Sequence, residues 1–99
     1  MSNVIIQYTI KSEYVEENIT LLHDFFTELE EVCPSGLAYK AYHFEDSNNF
    51  IHIVNSETDA SAFAHLPSYR SYRDTLHQRI EGNPTMLSIK EVGSYSSGN

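Results

Sequence analysis

The sequence predicts an α+β domain of the ferredoxin-like kind, β-α-β-β-α-β, with a four-stranded antiparallel sheet and two helices on one face. Three observations carry that reading. Apolar patterns follow one another as strand, long helix, two strands and a broken helix, then a final strand. The polar link Glu45-Asp46-Ser47-Asn48-Asn49 between the two middle strands is short enough to close a hairpin. The length of 99 residues holds one domain and one layer of helices on one sheet. Two right-handed crossovers flanking one hairpin place all four strands in a single sheet. The domain is expected over residues 1–95, with 96–99 a flexible tail.

The first strand is marked by Val4, Ile5, Ile6, Tyr8 and Ile10, with Gln7 and Thr9 its only interior polar members, so both of its faces look buried. Ser12 is read as a helix N-cap with Tyr14 close behind. Ile19, Leu22, Phe25, Phe26, Leu29 and Val32 then repeat at three- and four-residue spacing, which predicts a long amphipathic helix. Glu16, Glu17, Asp24, Glu28, Glu30 and Glu31 fall on its other face and read as a solvated surface. Cys33-Pro34-Ser35-Gly36 stops the helix, because Pro34 disfavours helical geometry at Cys33 and Gly36 supplies a turn. A second strand is expected from Leu37 to Phe44.

The stretch from Phe50 to Tyr72 carries most of the chemistry. Phe50, Ile51, Ile53 and Val54 put apolar groups on both faces of a third strand, with His52 among them. Ser56-Glu57-Thr58-Asp59 offers N-cap residues for a helix begun near Asp59, which Pro67 should break or kink. Tyr69, Tyr72, Leu76 and Ile80 give the second segment its inward stripe. Gly82-Asn83-Pro84 is expected to end it, leaving Met86, Leu87, Ile89 and Val92 for a last strand with an irregularity near Val92-Gly93.

Charge and composition exclude several classes. A net charge of −8 with six dispersed basic residues argues against a nucleic-acid backbone or an anionic membrane as partner. The RNA-binding version of this plan needs an aromatic motif flanked by Lys or Arg, which this chain lacks. An amino-acid-sensing version would come attached to another domain. No apolar run reaches membrane-spanning length, and no signal core is seen. Cys33 is the only cysteine, so it can form no internal disulfide and no thiolate zinc site, which fits a cytoplasmic protein. It reads as an inert small hydrophobe. Because two helices cover one sheet face while the first and third strands are apolar on both, a homodimer through the open sheet face is expected.

At FIHIVNSETDASAFAHLPSY the sequence resembles the antibiotic biosynthesis monooxygenase-like family of dimeric α/β barrels. Phe50 matches that family's leading strand aromatic, Ala60-Ser61 its small helix positions and His65 its helix histidine. Val92-Gly93-Ser94-Tyr95 looks like its last strand. Val54 and Ser56 depart from the family, which often has Glu and an aromatic there. The resemblance implies a monooxygenase working without metal or flavin, hence no cofactor, on a small aromatic, phenolic or quinol-type substrate that itself supplies electrons to oxygen. Haem-degrading relatives use a first-strand Asn and a helix His. Here the first strand offers Gln7, and neither His65 nor His77 matches the iron ligand's position.

Such chemistry needs a dry pocket, a base and donors for the developing anion. The expected cavity lies between the sheet and the helices. His52 is the candidate catalytic base, since its pKa sits near neutrality; the competing reading is a hydrogen-bonded core histidine. His65, Tyr69, Tyr72, Arg73 and His43 are the candidate substrate-binding residues. Each has a plainer reading: His65 packing at the break before Pro67, Tyr69 and Tyr72 as amphipathic core, and Arg73 pairing with Asp74 or Glu57. The hairpin length leaves open whether His43 lies opposite His52, where the two could hold a metal, or on the other face. A non-catalytic small-molecule-binding or interaction protein on the same scaffold is the alternative function.

Overall fold

A computed structural model describes residues 2–98. The chain runs through β1 (Ser2–Ile10), α1 (Val15–Val32), β2 (Leu37–His43), β3 (Asn49–Ser56), α2 (Pro67–Asp74), α3 (Leu76–Arg79) and β4 (Ile80–Ser88). The sheet order is β2-β3-β1-β4 and every pairing is antiparallel. This is the ferredoxin-like plan, with β1 and β3 central.

Register sets the faces. Val4, Ile6 and Tyr8 stand opposite Val54, His52 and Phe50, and Tyr39, Ala41 and His43 stand opposite Val54, His52 and Phe50 from the other side. These residues face the helices: Phe50, His52, Val54 and Ser56 are buried along β3 while the residues between them are only partly covered. The helices press Leu22 and Phe25 of α1, Tyr72 of α2 and Phe63 and Leu66 of the preceding loop into that face. Ile5, Ile51, Ile53 and Leu87 share the opposite face, where no helix of the described residues lies.

The first helix starts later than expected and stops where expected. Ser12 opens a short 3-10 turn, Ser12–Tyr14, and caps nothing; α1 begins at Val15 with no side-chain cap. At the other end Cys33 takes the left-handed conformation (φ 51°) and donates its N–H to the Leu29 carbonyl at 2.8 Å, so Val32 is left 48% exposed at the end of the stripe. Glu28, assigned to the solvated face, instead accepts from the Ser68 N–H (3.0 Å) and hydroxyl (2.6 Å) and closes the first turn of α2. Those bonds hold its carboxyl below the usual carboxylate range.

The expected break lies just before Pro67, which opens the second segment, while the helix expected from Asp59 is only a 3-10 turn. Asp59 caps a 3-10 turn, Ala60–Ala62, by accepting from the Ser61 N–H at 2.8 Å, and the chain leaves helical geometry before Pro67 takes the first position of α2. Proline lacks the N–H that would go unpaired there, which favours this placement. Ile80 and Gly82-Asn83-Pro84 also differ from expectation, since all four lie within β4. Glu81 pairs with Thr9 and Thr85 with Gln7, so residues 82–84 bulge out opposite Tyr8. The irregularity thus precedes Met86, and Val92 to Tyr95 form no strand. Val92 is 99% exposed. Of the tail, Asn99 lies outside the described residues.

Candidate functional site

Strand parity places His52 under the helices rather than on the open sheet face, and it is 1% exposed. Its ring is held at both nitrogens, Nε2 lying 2.8 Å from the Tyr8 hydroxyl and Nδ1 2.8 Å from the Tyr39 hydroxyl. Asn18 and Arg79 extend the run beyond Tyr8. Arg79 Nε donates to Asn18 Oδ1 at 3.1 Å, which orients that amide so that its Nδ2 donates to the Tyr8 oxygen at 3.2 Å. With Asn18 filling one acceptor site of the Tyr8 oxygen, the Tyr8 hydrogen is free to go to His52 Nε2, and in that tautomer His52 Nδ1–H donates to Tyr39. A single run of hydrogen bonds leads from a guanidinium to a phenol, each donor polarising the next.

Arg79 is fully buried at the end of α3, and its remaining contacts are the Thr75 hydroxyl and the Tyr72 carbonyl, the latter at 2.9 Å. All three acceptors are neutral. Among the described residues no carboxylate lies within ion-pair distance of it, the one pair being Arg73–Asp74 at 3.2 Å. The guanidinium also covers the Tyr72 ring at 5.6 Å. Burial pushes His52 down to about 4, so the imidazole is neutral at pH 7. Burial likewise raises Tyr39 and Tyr72 above the ordinary phenol range, followed by the neighbouring tyrosines. Tyr8 also rises through burial, against the pull of hydrogen bonds from Tyr72 and Asn18.

The candidate residues separate into two groups. His52, Tyr72 and Tyr69 come together, with His52 5.8 Å from the Tyr72 ring and Tyr72 6.0 Å from Tyr69. His43 joins them through one intermediate: it stands opposite Phe50, shares the face of His52, and stacks on the Phe50 ring at 4.7 Å. His43 does not meet His52, and its Nε2 donates to the Ser47 carbonyl at 2.7 Å. Among the described residues no cluster of three or more His, Cys, Asp or Glu could hold a metal ion. His65 is exposed, with Nδ1 at 3.2 Å from the Ser61 carbonyl. Arg73 is exposed too, bonded to Asp74 and lying 5.8 Å over the Tyr69 ring.

Tyr8, Asn18, Tyr39 and Arg79 were not singled out by sequence reasoning. The signal was present: Asn18 precedes Leu22 by four and Phe25 by seven, Arg79 follows Tyr72 by seven, and Tyr8 and Tyr39 have the strand parity of His52's neighbours.

The space expected to be a cavity is instead filled by rings. Phe25, Tyr39, Phe63 and Tyr69 pack edge-on or tilted at 5.0–6.0 Å between sheet and helices. Cavities lie along the outer side of this core, between α1 and β2. One of about 240 Å³ is lined by Leu22, Phe26, Ala41, His43 and Phe50 among others. A second, of about 290 Å³, is lined by Phe26, Leu29, Pro34, Leu37 and Tyr39 with others. His52 lines neither, but its strand partner Ala41 lines the first. No helix among the described residues is long and apolar enough to cross a membrane.

No protein-family model matches the sequence, and no curated protein does. Solved structures match well in shape. An antibiotic biosynthesis monooxygenase superposes with a TM-score of 0.75 at 16% identity, over 94% of this chain and all of the other. A Nitrosomonas europaea protein provisionally named an antibiotic biosynthesis monooxygenase gives 0.77 at 14% identity, over 94% of this chain and 100% of that one. A Bacteroides thetaiotaomicron protein with the same provisional name gives 0.76 at 13%, over 99% and 95%. At these identities the likeness is one of fold, and the chain has the ferredoxin-like fold of the antibiotic biosynthesis monooxygenase-like proteins.

Proposed function

We propose that this protein is a cofactor-independent monooxygenase for a small phenolic or quinol-type substrate, bound in the cavity between α1 and β2 that His43 and Phe50 line. The observation that carries this is the neutral His52, held between two tyrosine hydroxyls and paired in the sheet with Ala41, which lines that cavity. A neutral imidazole in an apolar surround is a base for a phenol's proton once the substrate displaces a tyrosine hydroxyl from one of its nitrogens, and the displaced hydroxyl can hold the resulting anion. The phenolate then supplies electrons to oxygen, oxygen adds at a ring carbon, and the hydroperoxide loses water to leave a quinone. His52 is the catalytic group in this reading. His43 lines that cavity, while Tyr69, Tyr72, His65 and Arg73, proposed as further substrate contacts, stand outside its lining, the last two at the surface. The cytoplasm is the proposed location.

The same reading puts two copies face to face through the open sheet surface of Ile5, Ile51, Ile53 and Leu87. Sedimentation at low micromolar concentration is expected to give a dimer for the wild type and a monomer for Ile53→Asp.

Oxygen uptake with simple quinols in metal-free buffer tests the activity. Uptake by the wild type that is lost in His52→Gln supports the enzyme. Saturation of both His52 nitrogens by tyrosines favours a second reading, a non-catalytic binding protein on the same scaffold. Quinol binding with no uptake across the panel would establish that one in its place.

A further inference from the structure

The interior holds a feature that needs no substrate to act. A phenol that loses one electron becomes a strong acid, and a charged radical cation in a dry interior is costly, so a buried tyrosine gives up an electron readily only if its proton has an acceptor already in place. Of the three tyrosines around His52, one meets this condition. In the Nδ1–H tautomer of His52, Tyr8 donates to the Nε2 lone pair across 2.8 Å, while Tyr39 accepts from the other side of the ring. Tyr72 has the Arg79 guanidinium 5.6 Å over its ring, where a cation opposes removal of an electron.

Tyr8 is 5% exposed, which shields it from solvent and from a second phenol. It is nonetheless connected to the surface. Its ring stacks on Phe50 at 5.5 Å and 6°, Phe50 stacks on the half-buried His43 at 4.7 Å and 21°, and a second route runs through Tyr72 (6.4 Å) to Tyr69 (6.0 Å). We propose that Tyr8 and His52 form a redox-active pair, in which a one-electron oxidant of the aryloxyl-radical class takes an electron from Tyr8 while the Tyr8 proton moves to His52 Nε2. The products are a neutral tyrosyl radical, an imidazolium and an aryloxide. The imidazolium keeps its Nδ1–H bond to Tyr39, and return of the electron brings the proton back to the Tyr8 oxygen. This pair stands apart from the oxygen chemistry proposed above, because it requires neither a bound quinol nor dioxygen.

Flash oxidation of the full-length protein by photogenerated ruthenium(III) tris-bipyridine, read by tyrosyl absorption and electron paramagnetic resonance, tests the pair. The wild type is expected to give a tyrosyl radical that outlives those of its exposed tyrosines, and that forms more slowly in deuterated buffer. Tyr8→Phe, which keeps the ring and the packing, is expected to shorten the longest radical lifetime roughly tenfold. His52→Gln should abolish the long-lived radical although Tyr8 remains. An unchanged lifetime in Tyr8→Phe, or a wild type yielding only short-lived radicals that couple to dityrosine, would overturn the proposal. If His52→Gln does not fold, Tyr8→Phe and the isotope effect still decide.

Discussion

Acid should loosen this fold through one residue. In the unfolded chain His52 titrates near 6.5, while in the folded protein burial holds it down to about 4. Between those values the unfolded chain binds a proton that the folded one refuses, so each step down in pH favours unfolding. The contribution is fully present above pH 6.5 and is lost as pH falls to 4. That gap corresponds to about 3 kcal/mol, and because His52 is 1% exposed no discount for solvent screening applies. Glu28 and Asp59 have carboxyls held below their ordinary values, so their own losses fall at the acid end of this range and lower. The window from about pH 5 to 6.5 therefore isolates the histidine and should show a decline of about 2 kcal/mol. Urea unfolding across that window, for the wild type and His52→Gln, provides the measurement. The variant should be less stable at pH 7 but lose less on acidification. Parallel curves for the two proteins would refute the reasoning, since they would mean that His52 is not held neutral by the fold.

Three further outcomes follow from the same contacts. Arg79→Lys keeps the charge but cannot reach Asn18, Thr75 and the Tyr72 carbonyl together, and should cost about 3 kcal/mol in urea unfolding. Tyr39→Phe leaves His52 Nδ1 without its hydrogen-bond partner and should cost about 1–2 kcal/mol, whereas Tyr42→Phe on the half-exposed neighbour should stay within about 0.5 kcal/mol of wild type. Gly36 has φ +71°, and a Cβ there would sit 3.0 Å from the Glu57 side chain. Gly36→Ala should therefore lower thermal stability by about 1–3 kcal/mol, read by circular dichroism.

Much of the fold was legible because its elements repeat at clear periods. The stripe from Ile19 to Leu29 dictated α1, and the apolar run around His52 dictated β3. The second crossover was harder to read. Pro67 acts as a helix breaker in one context and as a first-turn residue in another, and the Ser68–Glu28 contact across 40 positions supports the second. Gly82-Asn83-Pro84 carries turn chemistry, yet pairing of Glu81 and Thr85 with β1 on either side absorbs it as a bulge. For the candidate site, His52 and Tyr72 were accessible to pattern, while the run from Arg79 through Asn18 and Tyr8 was not. Those bonds span 61, 10 and 44 positions, and helical spacing marks Asn18 and Arg79 as inward-facing without naming their partners.

The bulge at 82–84 has a bearing on how copies of the chain can meet. β4 is an outer strand, and such a strand offers its free N–H and C=O groups to any neighbour able to continue the ladder. Here Pro84 carries no N–H, and the three displaced residues throw the strand out of line midway. A second sheet could match the edge before the bulge or after it, but not along its length. Edge-to-edge growth into fibres is thereby discouraged at β4, and the open sheet face remains the broader surface on which two copies can meet.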